Sequence, residues 1–210
     1  MARILLGVTG SVAAVRTAAL CDALARGGHE VRVVATRAAT YFFDPQSIGG
    51  AVYRDEDEWP GRAEGRRWER TDAVLHIELR RWAELLLVAP LDANTLAKLA
   101  CGLSDNCLTC VARAWDPARP VVLAPAMNTL MWEHPLTVRH LRQLAADAGA
   151  APPAGVALAE LPAWVNAHCP LLRVAAPESR QLACGDVGVG AMMAVEGIVA
   201  VVGRCLAGLP

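Results

Sequence analysis

Residues 3–12 read Arg3-Ile4-Leu5-Leu6-Gly7-Val8-Thr9-Gly10-Ser11-Val12. An apolar run of this length that stops at a glycine- and hydroxyl-bearing turn predicts a short buried strand leading into a helix. Behind the turn, Val12, Val15, Ala19, Leu20, Ala23 and Leu24 recur at helical spacing, and Gly27-Gly28 ends the pattern. Residues 30–36, EVRVVAT, then return to a β-branched run. A strand, a helix and a second strand in this order predict a right-handed parallel crossover.

Working outward, the runs LLLVAP at 85–90 and PVVLAPA at 120–126 predict two further strands. Helical patterns occupy about 95–114, 136–144 and 196–206. The alternation predicts an α/β protein with a single doubly wound parallel sheet, a flavodoxin-like or Rossmann-like three-layer sandwich. The 210 residues, 54% hydrophobic, suit one domain over 1–210. Two stretches break the pattern. Residues 54–72 are densely charged and predict a surface loop, with Trp59 and Trp68 as anchors. Residues 150–181 carry five prolines, Pro152, Pro153, Pro162, Pro170 and Pro177, which predicts an extended loop rather than a long helix or central strand.

Charge and cysteine usage exclude several classes. Twenty basic and twenty-one acidic side chains leave a net charge of -1, so no polyanion-binding footprint is present and no nucleic-acid partner is expected. Gly7, Gly10 and Arg16 interrupt the N-terminal apolar stretch, which argues against a secretory leader, and no uncharged run is long enough for a membrane span. Seven cysteines scattered from Cys21 to Cys205 fit a reduced, cytoplasmic chain better than a disulfide framework. Cys107 and Cys110 form a C-x-x-C pair without the second pair that a zinc site needs, so no metal is expected.

The turn Gly7–Val12 stands where free N–H groups and the helix dipole can hold a phosphate. The second strand ends in Thr36-Arg37, where a dinucleotide-binding unit would carry an acid for the ribose. A hydroxyl and a guanidinium suit a phosphate, which favours a mononucleotide such as FMN over NAD; a purely structural turn stays open on this loop alone. The third strand ends in Asp92-Ala93-Asn94-Thr95 and the fourth in Ala126-Met127-Asn128-Thr129, both at the edge where ligands collect in open α/β sheets. Helix capping is the competing reading of Asp92, Asn94, Thr95 and Asn128.

Four segments taken together, GVTGSVAA, LHIELRRWAELLLVAPLDANTLAKLACGLSDN, PAMNTLMWEHP and LACGDVGVGAM, resemble the flavin-containing cysteine decarboxylase family in its eukaryotic-type phosphopantothenoylcysteine decarboxylase branch. The resemblance covers nearly the whole chain in order. It implies a flavoprotein that decarboxylates 4'-phosphopantothenoylcysteine in coenzyme A biosynthesis, assembled as a homotrimer. It further implies FMN contacts from Gly10, Ser11, Val12, Thr36, Arg37, Asp92, Ala93, Asn94, Thr95 and Ala126. Asn128, Leu182 and Ala183 would bind substrate, His76 would be the base, and Cys184 the proton donor on a flap over about 180–193. Related chains that regulate a phosphatase, or that transfer a prenyl group to flavin, are the alternatives of the same fold.

The chemistry needs those groups. Direct loss of CO2 from a cysteine carboxylate leaves an unstabilised carbanion, whereas prior oxidation of the thiol to a thioaldehyde provides an electron sink. Imidazole exchanges protons near neutral pH, as a base must. A thiol holds its proton there, as an acid must. Gly185, Gly188 and Gly190 give the Cys184 segment the freedom of a closing flap. The chain departs from the family pattern in an apparent insertion around 155–175, in Gln181 where a basic residue is usual, and in Cys107 where leucine is usual.

Overall fold

The computed structural model describes residues 1–181 and 187–208. Six strands pair in parallel: β1 (Arg3–Val8), β2 (Glu30–Ala35), β3 (Val52–Arg54), β4 (Leu85–Leu91), β5 (Val121–Pro125) and β6 (Leu172–Val174), in the order β3-β2-β1-β4-β5-β6. The order reverses direction between β1 and β4, whose register sets Ile4 beside Leu85 and Gly7 beside Val88. A crevice outside the strand ends at such a reversal is where this architecture takes ligands.

Strand periodicity assigns the two faces. Ile4, Leu6, Val8, Leu85, Leu87 and Ala89 pack to one side, with Leu20 and Leu24 of α1 (Thr17–Arg26) and Ile198 and Val202 of α9 (Val195–Ala207). Leu5, Leu86 and Val88 pack to the other. That side is covered by Leu79 of α3 (Leu75–Trp82), Leu96 of α4 (Ala93–Cys101), Leu108 of α5 (Cys107–Arg113), Leu141 of α7 (Pro135–Asp147) and Val165 of α8 (Leu161–His168). Every residue of β4 is buried, which is why its sequence is an unbroken apolar run rather than an alternation.

Four expectations change. Residues 12–16 form a 3-10 turn capped by Ser11, and α1 starts only at Thr17. Val12 and Val15 therefore lie outside the helix expected of them and face outward, 48% and 59% exposed. The helical pattern of 95–114 is two helices, because Gly102 takes a left-handed conformation (φ 71°) that closes α4. The loop expected over 150–181 contains α8 and β6. Pro162 is tolerated in the first turn of α8, and β6 is an edge strand. Arg142 braces the approach by donating to the carbonyls of Pro152, Pro153, Ala154 and Val156. Finally, the charged stretch 54–72 opens with a helical turn, α2 (Asp55–Glu58), whose last residue is buried, while Trp68 is exposed.

A second sheet pairs β7 (Glu178–Gln181) with β8 (Val187–Ala191) in antiparallel fashion. It is tied to the main body where Met127 N–H donates to the Gly190 carbonyl at 3.0 Å. Gly190 has φ 149°, and a Cβ there would collide with the Met127 carbonyl, so only glycine permits this approach.

Candidate active site

The β1–β4 crevice is assembled by a chain of short-range bonds. Thr9 Oγ1 donates to the Pro90 carbonyl at 2.8 Å and accepts from Asp92 N–H at 2.7 Å. Asp92 Oδ2 accepts from Gly10 N–H at 3.1 Å, and Asp92 Oδ1 caps α4 by accepting from Thr95 N–H at 2.6 Å. Gly10 is required here, since a Cβ would lie 2.6 Å from that of Ala38. Ser11 caps the following 3-10 turn through Ala13 N–H. The Thr36 side chain, 6% exposed at the end of β2, has a buried hydroxyl with no hydrogen-bond partner among the described residues. A buried unsatisfied hydroxyl is costly, and a ligand phosphate oxygen at this strand end would satisfy it. Arg37 is exposed next to it, its own N–H donating to Asp55 Oδ2 at 3.0 Å.

Ala126, Met127 and Asn128 continue β5 to the same edge. Ala126 N–H donates to the Leu91 carbonyl, and Asn128 caps α6 (Thr129–Trp132) by accepting from Leu130 N–H at 2.9 Å. With Ser11, Val12, Val15, Gln181, Gly190 and Met192 among their neighbours, these three residues line a cavity of about 340 Å³. Asn94 is exposed, Ala93 half-buried, and Thr95 buried. The capping reading of Asp92 and Asn128 is thus realised, and it coexists with their position at the crevice. A larger cavity of about 590 Å³ lies at the opposite ends of the strands, against Leu86, Val121 and Leu172, and none of the candidate residues lines it.

His76 does not line the 340 Å³ cavity. It stands in the first turn of α3, on the flank formed with α2 and α5. Its N–H donates to Glu58 Oε2 at 3.0 Å, and its Nδ1 lies 2.5 Å from Glu58 Oε1. Asp55, at the other end of α2, accepts from Arg37 N–H and from Cys107 N–H. Burial raises the Asp55 carboxyl, opposed by those two N–H groups. Burial also pushes the Cys107 thiol up, reinforced by the Glu58 and Asp55 charges, and raises Cys110 in the same sense. Both thiols therefore stay protonated at neutral pH, and among the described residues no group of three or more acidic, histidine or cysteine side chains is placed to hold a metal ion. Leu182, Ala183 and Cys184 lie outside the described residues.

Sequence reasoning missed Thr9, Asp55 and Glu58. Thr9 sits inside the decisive turn, where its hydroxyl was the available signal. The two acids lie in an acidic run, Asp55-Glu56-Asp57-Glu58, that reads as solvated, and no local spacing links Glu58 to His76 eighteen positions on.

A doubly wound sheet with a glycine turn, a buried hydroxyl unpaired among the described residues and a largely apolar cavity fringed by Ser11, Asn128 and Gln181 at the strand ends defines a nucleotide-binding α/β protein. The model of the Flavoprotein family matches residues 1–206, and the chain belongs to that family. It is 48% identical over 200 residues to the phosphopantothenoylcysteine decarboxylase of Mus musculus, covering 94% of this chain and 84% of that protein. It is 45% identical to the enzyme of the same name from Arabidopsis thaliana, over 90% and 78% of the two chains. Among solved structures it is similar to a PPC decarboxylase variant in complex with pantothenoylaminoethenethiol, with a TM-score of 0.79, 40% identity and 98% of each chain covered. The FMN-binding protein AtHal3 matches with a TM-score of 0.73 and 42% identity, over 97% of this chain and 95% of that one.

Proposed function

We propose that this chain is an FMN-dependent carboxy-lyase that converts 4'-phosphopantothenoylcysteine to 4'-phosphopantetheine and CO2, a step of coenzyme A biosynthesis. One observation carries the reading: the buried Thr36 hydroxyl, unpartnered among the described residues, stands at the ligand-collecting edge of the sheet, in a chain nearly half identical to decarboxylases of that name. Gly10, Ser11, Val12, Thr36 and Arg37 would hold the FMN phosphate, and Asp92, Ala93, Asn94, Thr95 and Ala126 the remainder of the group. FMN, when bound, supplies a two-electron acceptor for oxidation of the substrate thiol to a thioaldehyde and later returns the pair.

The residues of the chain handle protons and position. His76 takes the thiol proton as carbon and sulfur become doubly bonded. Asn128 holds the carboxylate until it leaves as CO2, its bonding electrons passing into the enethiolate. Cys184 returns a proton at the end, while Leu182 and Ala183 contact the substrate through the backbone. Assembly as a homotrimer belongs to this reading, since Val12, Val15, Leu130 and Met131 place exposed apolar surface around Asn128 and the turn that a neighbouring copy would cover. So does a cytoplasmic location, supported by the free thiols of all six described cysteines.

The direct experiment incubates purified protein with 4'-phosphopantothenoylcysteine and follows loss of one CO2 by mass spectrometry. A yellow protein that releases FMN on denaturation, with light scattering at three times the monomer mass, is the expected preparation. A colourless protein that neither takes up FMN nor releases CO2 overturns the reading.

A further inference from the structure

Of the four acids in α2, Glu58 alone is buried, its side chain 4% exposed, and both of its oxygens are turned onto one residue. Oε2 accepts the backbone N–H of His76 and Oε1 faces the ring at Nδ1. An ionised carboxylate has no proton to give, so Nδ1 must be the donor, and the neutral ring then carries an unprotonated Nε2. The backbone bond prevents the carboxylate from following the ring if it turns, so orientation and tautomer are fixed together.

We propose that Glu58 is the positioning residue of His76, holding its ring as the Nδ1–H tautomer so that Nε2 is the atom that accepts the substrate's proton. The proposal rests on the reading of His76 as the base. α2 also ties this pair to the opposite corner of the site. Asp55, three residues before Glu58, holds the N–H of Arg37 at the end of β2 and the N–H of Cys107 at the start of α5. One helical turn thus spans from the strand end assigned to phosphate to the base, and Cys107, whose side chain lies against the Glu58 carboxylate, closes it from beneath.

Glu58→Gln separates this role from a merely structural one. Glutamine keeps an acceptor for the His76 N–H, so the start of α3 stays capped, but its amide presents a donor to Nδ1 and drives the ring to the Nε2–H tautomer. In FMN-loaded protein carrying ¹⁵N-labelled histidine, NMR should show His76 protonated at Nδ1 in the wild type and at Nε2 in Glu58→Gln. Turnover should fall on the order of 10²- to 10⁴-fold, as expected for a base locked in the wrong tautomer. KM should stay within about threefold, with FMN content and Tm unchanged. The double variant Glu58→Gln/His76→Asn should be no slower than His76→Asn alone. An Nε2–H tautomer in the wild type, full turnover of Glu58→Gln or additive losses in the double variant each overturn the proposal, and the first needs no variant to fold. Full turnover of His76→Asn instead overturns the base reading, while the tautomer measurement still reports on the pair.

Discussion

Asp92 and Glu58 are both carboxylates that engage two partners, and they differ in what they engage. Asp92, in the β1–β4 crevice, accepts from two backbone N–H groups, those of Gly10 and Thr95. Glu58, on the α2–α3 flank, accepts one backbone N–H and faces one titratable ring. The first arrangement fixes main chain to main chain, so its loss is felt as stability and cofactor affinity. The second fixes a ring, so its loss is felt as turnover.

The sharpest way to break that contrast after Glu58→Gln is Asp92→Ala. Loss of a helix cap costs about 1 kcal/mol and an abandoned Gly10 N–H about 1–3 kcal/mol more, so unfolding in urea should show a destabilisation of about 2–4 kcal/mol with FMN binding weakened. Asp92→Asn, which can still cap α4, should recover most of the stability. Equal stability of Asp92→Ala and wild type would show that the crevice is held by packing alone.

Two threonines refine the comparison within the crevice. Thr9 has both hydroxyl functions used, toward Pro90 and Asp92, whereas the Thr36 hydroxyl has no partner among the described residues. Thr9→Val should cost about 1–3 kcal/mol by leaving the Asp92 N–H without its acceptor, while the Pro90 carbonyl keeps the backbone N–H of residue 9. Thr36→Val should leave the stability of the FMN-free protein unchanged or slightly higher, because a buried unsatisfied hydroxyl is removed. FMN affinity should fall about tenfold, which is the loss of one phosphate contact worth about 1.4 kcal/mol. Isothermal titration of FMN together with urea midpoints separates the two. Identical behaviour of the two variants would remove the argument that Thr36 awaits a ligand.

What the sequence disclosed follows the same division. β4 and β5, and β1 after Arg3, were legible because strands buried on both faces are apolar runs. β2 was legible because Val31, Val33 and Val34 form a β-branched run despite Glu30 and Arg32, and Gly10, Asp92 and Asn128 because they stand at the ends of strands. β3 and β6 are three residues each, too short for any periodicity, and β6 lay hidden among prolines that an edge strand tolerates. Val12 and Val15 were read into the first helix because their spacing is helical, but a Ser11-capped 3-10 turn occupies those positions and leaves both exposed. Glu58 was illegible because nothing in an acidic run says which acid is buried; packing of α2 against α3 and α5 decides it.

The smallest effect expected compares a thiol on each side of the sheet. Burial, with Asp22 nearby, pushes the Cys21 thiol from its ordinary 9.0 to about 11, and burial beside Glu58 raises Cys107 as well. Between those values the unfolded chain has lost protons that the folded chain keeps, so the stability these groups contribute is complete below about pH 9 and declines as pH rises toward 11. Unfolding free energies measured in urea from neutral pH upward should fall, by on the order of 1–2 kcal/mol for one such thiol. Cys21→Ala and Cys107→Ala should each flatten the decline. Only Cys107→Ala, whose side chain lies against Glu58, should also lower turnover at neutral pH, by about two- to fivefold. If Cys21→Ala lowers turnover equally, the coupling runs through the sheet as a whole and not through the α2–α3 flank.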